Sequence, residues 1–126
     1  MRYPTLALAL ALSTAACEPE PRPAFSARVC LQLDHHGLTP TSATVYAQPA
    51  EDFPGYGPDM PARFSSVAEM GPTGRVCFED FSVGPHWFAA EGFDASIRDS
   101  VRGSQFVEIT TREDVYELAM PVSEQH

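Results

Sequence analysis

Three cysteines, a pair of adjacent histidines and a few aromatic side chains are the parts of this 126-residue chain best suited to chemistry. Cys17, Cys30 and Cys77 offer thiols for acylation or disulfide formation. His35 and His36 offer imidazoles that bind metals or carry protons. Phe53, Tyr56 and Trp87 offer flat apolar faces against which a sugar ring or a protein partner packs.

Several of these chemistries lack the spacing they need. No Gly-x-Ser-x-Gly elbow and no Cys/His signature is present, so no catalytic residue is assigned and no enzyme activity is expected. Lysine and asparagine are absent, which removes a lysine nucleophile, a Schiff base and a Lys–Asn crosslink. Neighbouring residues of a strand point to opposite faces. No second Cys or His cluster stands near His35 and His36, and neither Asp34 nor His86 changes that. The pair therefore reads as exposed turn histidines, with no metal site and no cofactor. Glu51, Asp52 and Asp59 share one loop but lack the one-three-five spacing of a calcium loop. Glu79-Asp80 and Glu113-Asp114 read as solvated turn charges.

The first residues set the expected address. Met1, Arg2, Tyr3, Pro4 and Thr5 precede an apolar run over residues 6–12, then Ser13, Thr14, Ala15, Ala16 and Cys17. The run suits a secretory signal and is far short of the ~20 apolar residues that span a bilayer. Small residues before a cysteine resemble the cleavage motif of bacterial lipoproteins, with Thr14 standing where that motif usually has Leu. The resemblance implies a signal peptide over 1–16, lipid on Cys17, and a Pro-rich tether over 17–24. Cleavage after Ser13-Thr14-Ala15, leaving Cys17 an unmodified thiol, is the alternative. A lipidated Cys17 leaves Cys30 and Cys77 as an even pair able to form a disulfide in an oxidising compartment. Their loop of ~48 residues gives about 4 kcal/mol in the chain-entropy estimate. Glu18 is not the Asp linked to inner-membrane retention, so the expected place is the outer membrane of a bacterial cell envelope, on either its periplasmic or its surface side.

Charge narrows the partners. The chain carries a net charge of −9, and all its acidic residues follow Cys17. That argues against nucleic acid and against electrostatic binding to an anionic bilayer. The expected membrane contact is the N-terminal lipid, and the further partner is an unidentified envelope protein or glycan.

The elements that must position these groups are short strands. Ala27, Val29, Leu31 and Leu33 alternate onto one face. Further strands are expected over 43–48, 63–68, 75–79, 86–90, 105–110 and 115–122, with turn residues between them. Between Gly92 and Gly103 there is room for a short turn of helix, with residues 94–99 the candidate. Seven strands with regular turn signals read as an all-β, seven-stranded antiparallel β-sandwich occupying residues 25–126.

Residues 73–92 strengthen that reading. Gly74, Val76, Phe78, Phe81, Gly84, Phe88 and Ala90 follow a Gly turn, apolar strand, Gly, apolar strand pattern. This resembles the prealbumin-like sandwiches: transthyretin, the carboxypeptidase regulatory domain and Cna-B repeats. His86 stands where the family usually has Tyr, and the Lys of the Cna-B isopeptide bond is absent. The chain does not end in the Tyr-Arg-Gly-Ser motif of the hydroxyisourate hydrolases on this fold, so that activity is not carried over. The family topology places the first and fourth strands side by side, which implies Cys30 and Cys77 meeting as a cross-strand pair on an outer sheet face.

The candidate binding surface is Phe53, Tyr56 and Trp87. Phe53 and Tyr56 lie in the Pro/Gly-rich loop over 49–61, where they either form a recognition patch or fold back to cap the core. Trp87 takes the outward phase between His86 and Phe88, either open to a partner or covered by residues 92–104. The function expected is a non-enzymatic, structural or protein-binding module of the envelope. The alternative is a carbohydrate-binding module, which requires exposed, coplanar rings.

Overall fold

The computed structural model describes residues 26–110 and 115–124. The expected signal peptide over 1–16, Cys17, the expected tether and Glu113-Asp114 lie outside those residues. The order of elements is β1 (Ala27–Asp34), β2 (Ser42–Pro49), α1 (Met60–Arg63), β3 (Ser66–Glu69), β4 (Arg75–Phe81), β5 (Gly84–Asp94), β6 (Asp99–Ile109), β7 (Val115–Pro121) and β8 (Ser123–Glu124).

The strands form a three-stranded sheet, β4-β1-β7, and a five-stranded sheet, β3-β2-β5-β6-β8. Their inner faces enclose one apolar core. β1 gives Ala27, Val29, Leu31 and Leu33 to it, and β5 gives Phe88 and Ala90. β6 gives Val101, Val107 and Ile109, and β7 gives Tyr116 and Met120. Each set follows the two-residue period of a strand with one dry face. Full burial of a side chain such as Phe88 contributes on the order of 1.5–3 kcal/mol.

Several expectations are corrected. The described residues hold eight strands, because the chain turns after β7 and Ser123–Glu124 pairs with Val101 and Arg102 of β6. The sandwich is not wholly antiparallel. β1 and β7 run parallel, from Arg28 opposite Val115 to Asp34 opposite Pro121. The expected third strand begins only at Ser66, and Met60–Arg63 is a single helical turn started by Pro61. Residues 94–99 form no helix, because β5 and β6 make a continuous hairpin closed by a turn over 95–98.

Gly92 and Gly103 mislead because they resemble loop punctuation. Both lie inside strands where another backbone comes too close for a side chain. A Cβ on Gly92 would lie 2.2 Å from the Ser42 carbonyl oxygen, and one on Gly103 would lie 2.1 Å from that of Pro121. Such close approach is a recognised use of glycine within a strand.

A third layer covers the outer face of the larger sheet. Residues 50–65 lie over it, with Met60 and Phe64 buried against Ala89 and with Tyr46, Phe53 and Tyr56 around them. Arg63 fastens this strap by donating to the carbonyls of Pro54 (2.6 Å) and Gly55 (2.9 Å).

Candidate functional site

Three strand alternations run one step beyond their apolar residues at the same end of the sandwich. On β1 the inward column 27, 29, 31, 33 continues to His35. On β5 the column His86, Phe88, Ala90 continues through Gly92 to Asp94. After β7 the column Tyr116, Leu118, Met120, Val122 continues to Glu124. The backbone holds these ends together: the Val122 amide donates to the Asp34 carbonyl (2.9 Å), and the Thr41 amide donates to that of Phe93 (2.9 Å).

The three polar side chains meet there. His35 is 3% exposed. Its Nδ1 lies 2.6 Å from Asp94 Oδ2, and its Nε2 lies 2.5 Å from Glu124 Oε2. An ionised carboxylate only accepts hydrogen bonds, so both ring nitrogens carry protons and the ring is an imidazolium. Asp94 Oδ1 accepts from the Ser96 hydroxyl (2.6 Å) and amide (2.9 Å), an Asx turn that aims Oδ2 inward.

The shifts in proton affinity follow from these contacts. Hydrogen bonds to Glu124 and then Asp94 raise the His35 pKa above its usual 6.5, against the effect of burial. Bonds from the Ser96 hydroxyl and from His35 lower Asp94 to about 2. The bond from His35 lowers Glu124 to about 2.

His36 joins the cluster through an unusual backbone. His35 and Leu38 bridge, and the two residues between them, His36 and Gly37, have φ of 53° and 86°. Two successive positive φ values mark the type I′ hairpin turn. Histidine tolerates this region better than most side chains. The turn brings the His36 ring to 4.6 Å from the His35 ring and its Nε2 to 3.1 Å from Glu124 Oε2.

The expectation of two exposed turn histidines is therefore corrected. His36 is exposed, but His35 is buried between carboxylates that lie 59 and 89 residues away in sequence. The rule that neighbours point apart holds for a strand and fails in a left-handed turn. Asp94 and Glu124 escaped the sequence reading. Extending each two-residue alternation by one polar step would have placed all three on one end of the core.

The aromatic candidates do come together. Phe53 packs edge-on to Tyr56 at 5.1 Å and tilts 43° against Trp87 at 5.2 Å. Trp87 faces outward as expected, but residues 92–104 do not fold over it. It is covered by Phe53, meets Phe106 at 5.4 Å, and donates from Nε1 to the Glu51 carbonyl (3.1 Å). Phe53 and Tyr56 cap the outer face of the larger sheet, away from the inner core. Tyr56 is further held by Arg102, whose guanidinium carbon lies 4.9 Å from the ring centre. Phe106, which sequence reading left in a strand without a role, is 44% exposed and forms the open rim of this group. Among the described residues β8 pairs only with Val101 and Arg102, so the β6 edge beside Phe106 carries no ladder on that side.

Cys30 and Cys77 sit directly opposite on β1 and β4, with their Cα atoms 4.0 Å apart, and are disulfide-bonded. They occupy the outer face of the smaller sheet. Cys30 is nonetheless buried, because β1 is the central strand and Arg75 of β4 reaches across it to Glu117 of β7 at 2.8 Å.

No protein-family model, curated protein or solved structure matches the chain.

Proposed function

We propose that the chain is a non-enzymatic, exported β-sandwich of the bacterial envelope, held by lipid on Cys17, that works by binding another protein. The observation that carries this reading is the Cys30–Cys77 disulfide. Such a bond persists in an oxidising compartment, and it leaves Cys17 as the cysteine free for acylation. The prealbumin-like assignment rests on the Gly74-to-Ala90 pattern and is supported by the adjacency of β1 and β4.

The proposed contact is Phe106 with Trp87 behind it, beside the open β6 edge. An exposed aromatic ring next to unpaired strand backbone suits a partner that adds an extended segment, with main-chain bonds giving affinity and the ring giving specificity. The sugar-binding alternative fits less well, because the ring planes cross at 43° to 74° and Phe53 covers Trp87.

The test is fractionation with crosslinking. In a bacterial host the parent chain should sediment with membranes and Cys17→Ser should be released. A photo-crosslinker at position 106 should give a discrete protein adduct that one at position 79 does not. Unchanged sedimentation of Cys17→Ser removes the anchor, and identical adducts at both positions remove the binding face.

A further inference from the structure

We propose that His35 Nε2, His36 Nε2 and Glu124 Oε2 form a binding site for one divalent transition-metal ion of the zinc class. The three donor atoms all lie within 4.8 Å of one another. Zinc takes imidazole nitrogen and carboxylate oxygen at ~2.0–2.2 Å, which sets tetrahedral ligands roughly 3.3 Å apart. Glu124 Oε2 stands 3.1 Å from His36 Nε2 and 2.5 Å from His35 Nε2. A metal ion replaces the proton between His35 and Glu124, and that proton leaves to solvent.

Asp94 supplies what a bare donor cluster lacks. Histidines that bind metals characteristically donate their other ring N–H to a carboxylate, which fixes the ring and the tautomer. Asp94 Oδ2 takes that position on His35 Nδ1 at 2.6 Å, and is itself held by Ser96. With Nδ1 committed to Asp94, the nitrogen left to face Glu124 and His36 is Nε2.

The surroundings divide into a rigid side and an open side. His35 and Asp94 are buried, whereas the His36 side chain is 68% exposed. An ion enters past His36, and water completes its coordination there, as in zinc sites that keep one position open. The left-handed backbone of His36 fits this role. The type I′ turn that sets it also aims the ring at Glu124. Two imidazoles and a single carboxylate suit zinc, copper or nickel, whereas calcium and magnesium require an oxygen-rich shell.

Calorimetric titration of the chelator-stripped full chain with Zn²⁺ alone tests the site. One equivalent should bind. His36→Asn tolerates the turn and should weaken binding by at least about tenfold, as should Glu124→Gln, and Asp94→Asn by roughly tenfold through the orienting bond. The metal-free His36→Asn chain should melt at the parent's temperature, which separates lost ligation from lost folding. With Co²⁺, visible absorption bands should appear in the parent and be missing from His36→Asn. Equal zinc affinity in the parent and His36→Asn, or no binding by the parent, overturns the proposal.

Discussion

His86 and His35 lie at opposite ends of the core, 1% and 3% exposed, each in the inward phase of its strand. Their partners differ sharply. His86 meets the edge of Phe81 at 4.8 Å, and its Nδ1 donates to the Gly84 carbonyl at 3.0 Å. Burial therefore dominates and pushes its pKa down. His35 is nearly as little exposed, but two carboxylates face its two nitrogens, and its pKa is pushed up. The contrast teaches that burial alone does not set the charge of a core histidine. The groups that share the burial decide it.

The largest expected effect is one that should leave this contrast intact. The Cys30–Cys77 bond lies between the two ends and closes a loop with a sequence separation of 47. Replacing both cysteines with alanine should lower unfolding stability by about 4 kcal/mol in chemical denaturation. The shape of the stability–pH curve should not change.

The next largest effect belongs to His35. His35→Leu strips the proton donors from Asp94 and Glu124, so it should lower the denaturation midpoint much more than His86→Leu, which removes one hydrogen bond. Equal losses would mean that the charged partners contribute nothing beyond filling the end of the core.

Titration gives a finer separation in metal-free protein. The His86 pKa is lowered, so its contribution is complete above the unfolded value near 6.5 and is lost as pH falls through the folded value. The His35 pKa is raised, so its contribution is complete below 6.5 and is lost as pH rises through the folded value. Asp94 and Glu124 contribute fully above 3.8 and 4.5, and lose that contribution as pH falls toward about 2. The two histidines therefore oppose each other around pH 6.5. His86→Leu should expose a stability that declines as pH rises above 6.5, and His35→Leu one that rises as pH climbs to 6.5 and is flat beyond it, both read from urea midpoints. Matching slopes in the two variants would break the comparison.

The smallest effect on stability is expected at Phe106. Phe106→Ser touches neither end of the core and should lower stability by about 1 kcal/mol, through the lost contact with Trp87. It should still abolish the proposed adduct at the β6 edge, read with the photo-crosslinker carried at exposed Glu108 of the same strand.

The parts legible in sequence were those with local periodicity. The alternation of Ala27 to Leu33 gave β1 and its inner face, and the phase of Phe88 gave the outward Trp87. The opposed cysteines were expected only from the strand order that the prealbumin-like resemblance implies. What escaped depended on contacts between distant segments. The roles of Gly92 and Gly103 leave no local sign, because the backbones that crowd them, at Ser42 and Pro121, are far away in sequence. The His35 cluster was hidden for the same reason, since its carboxylates come from β5 and β8. A parallel partner for β1 leaves no hairpin signature at all.

That parallel pairing also orders events during synthesis. β1 is the centre of its sheet, and one of its neighbours is β7, so Val29 waits for Tyr116 and Leu33 for Met120. The smaller sheet stays incomplete until nearly the whole chain is available. Pairings so far apart in sequence form slowly, because the loop must close before its contacts help. β7 thus closes the smaller sheet late, after β2, β3, β5 and β6 of the larger sheet have their partners.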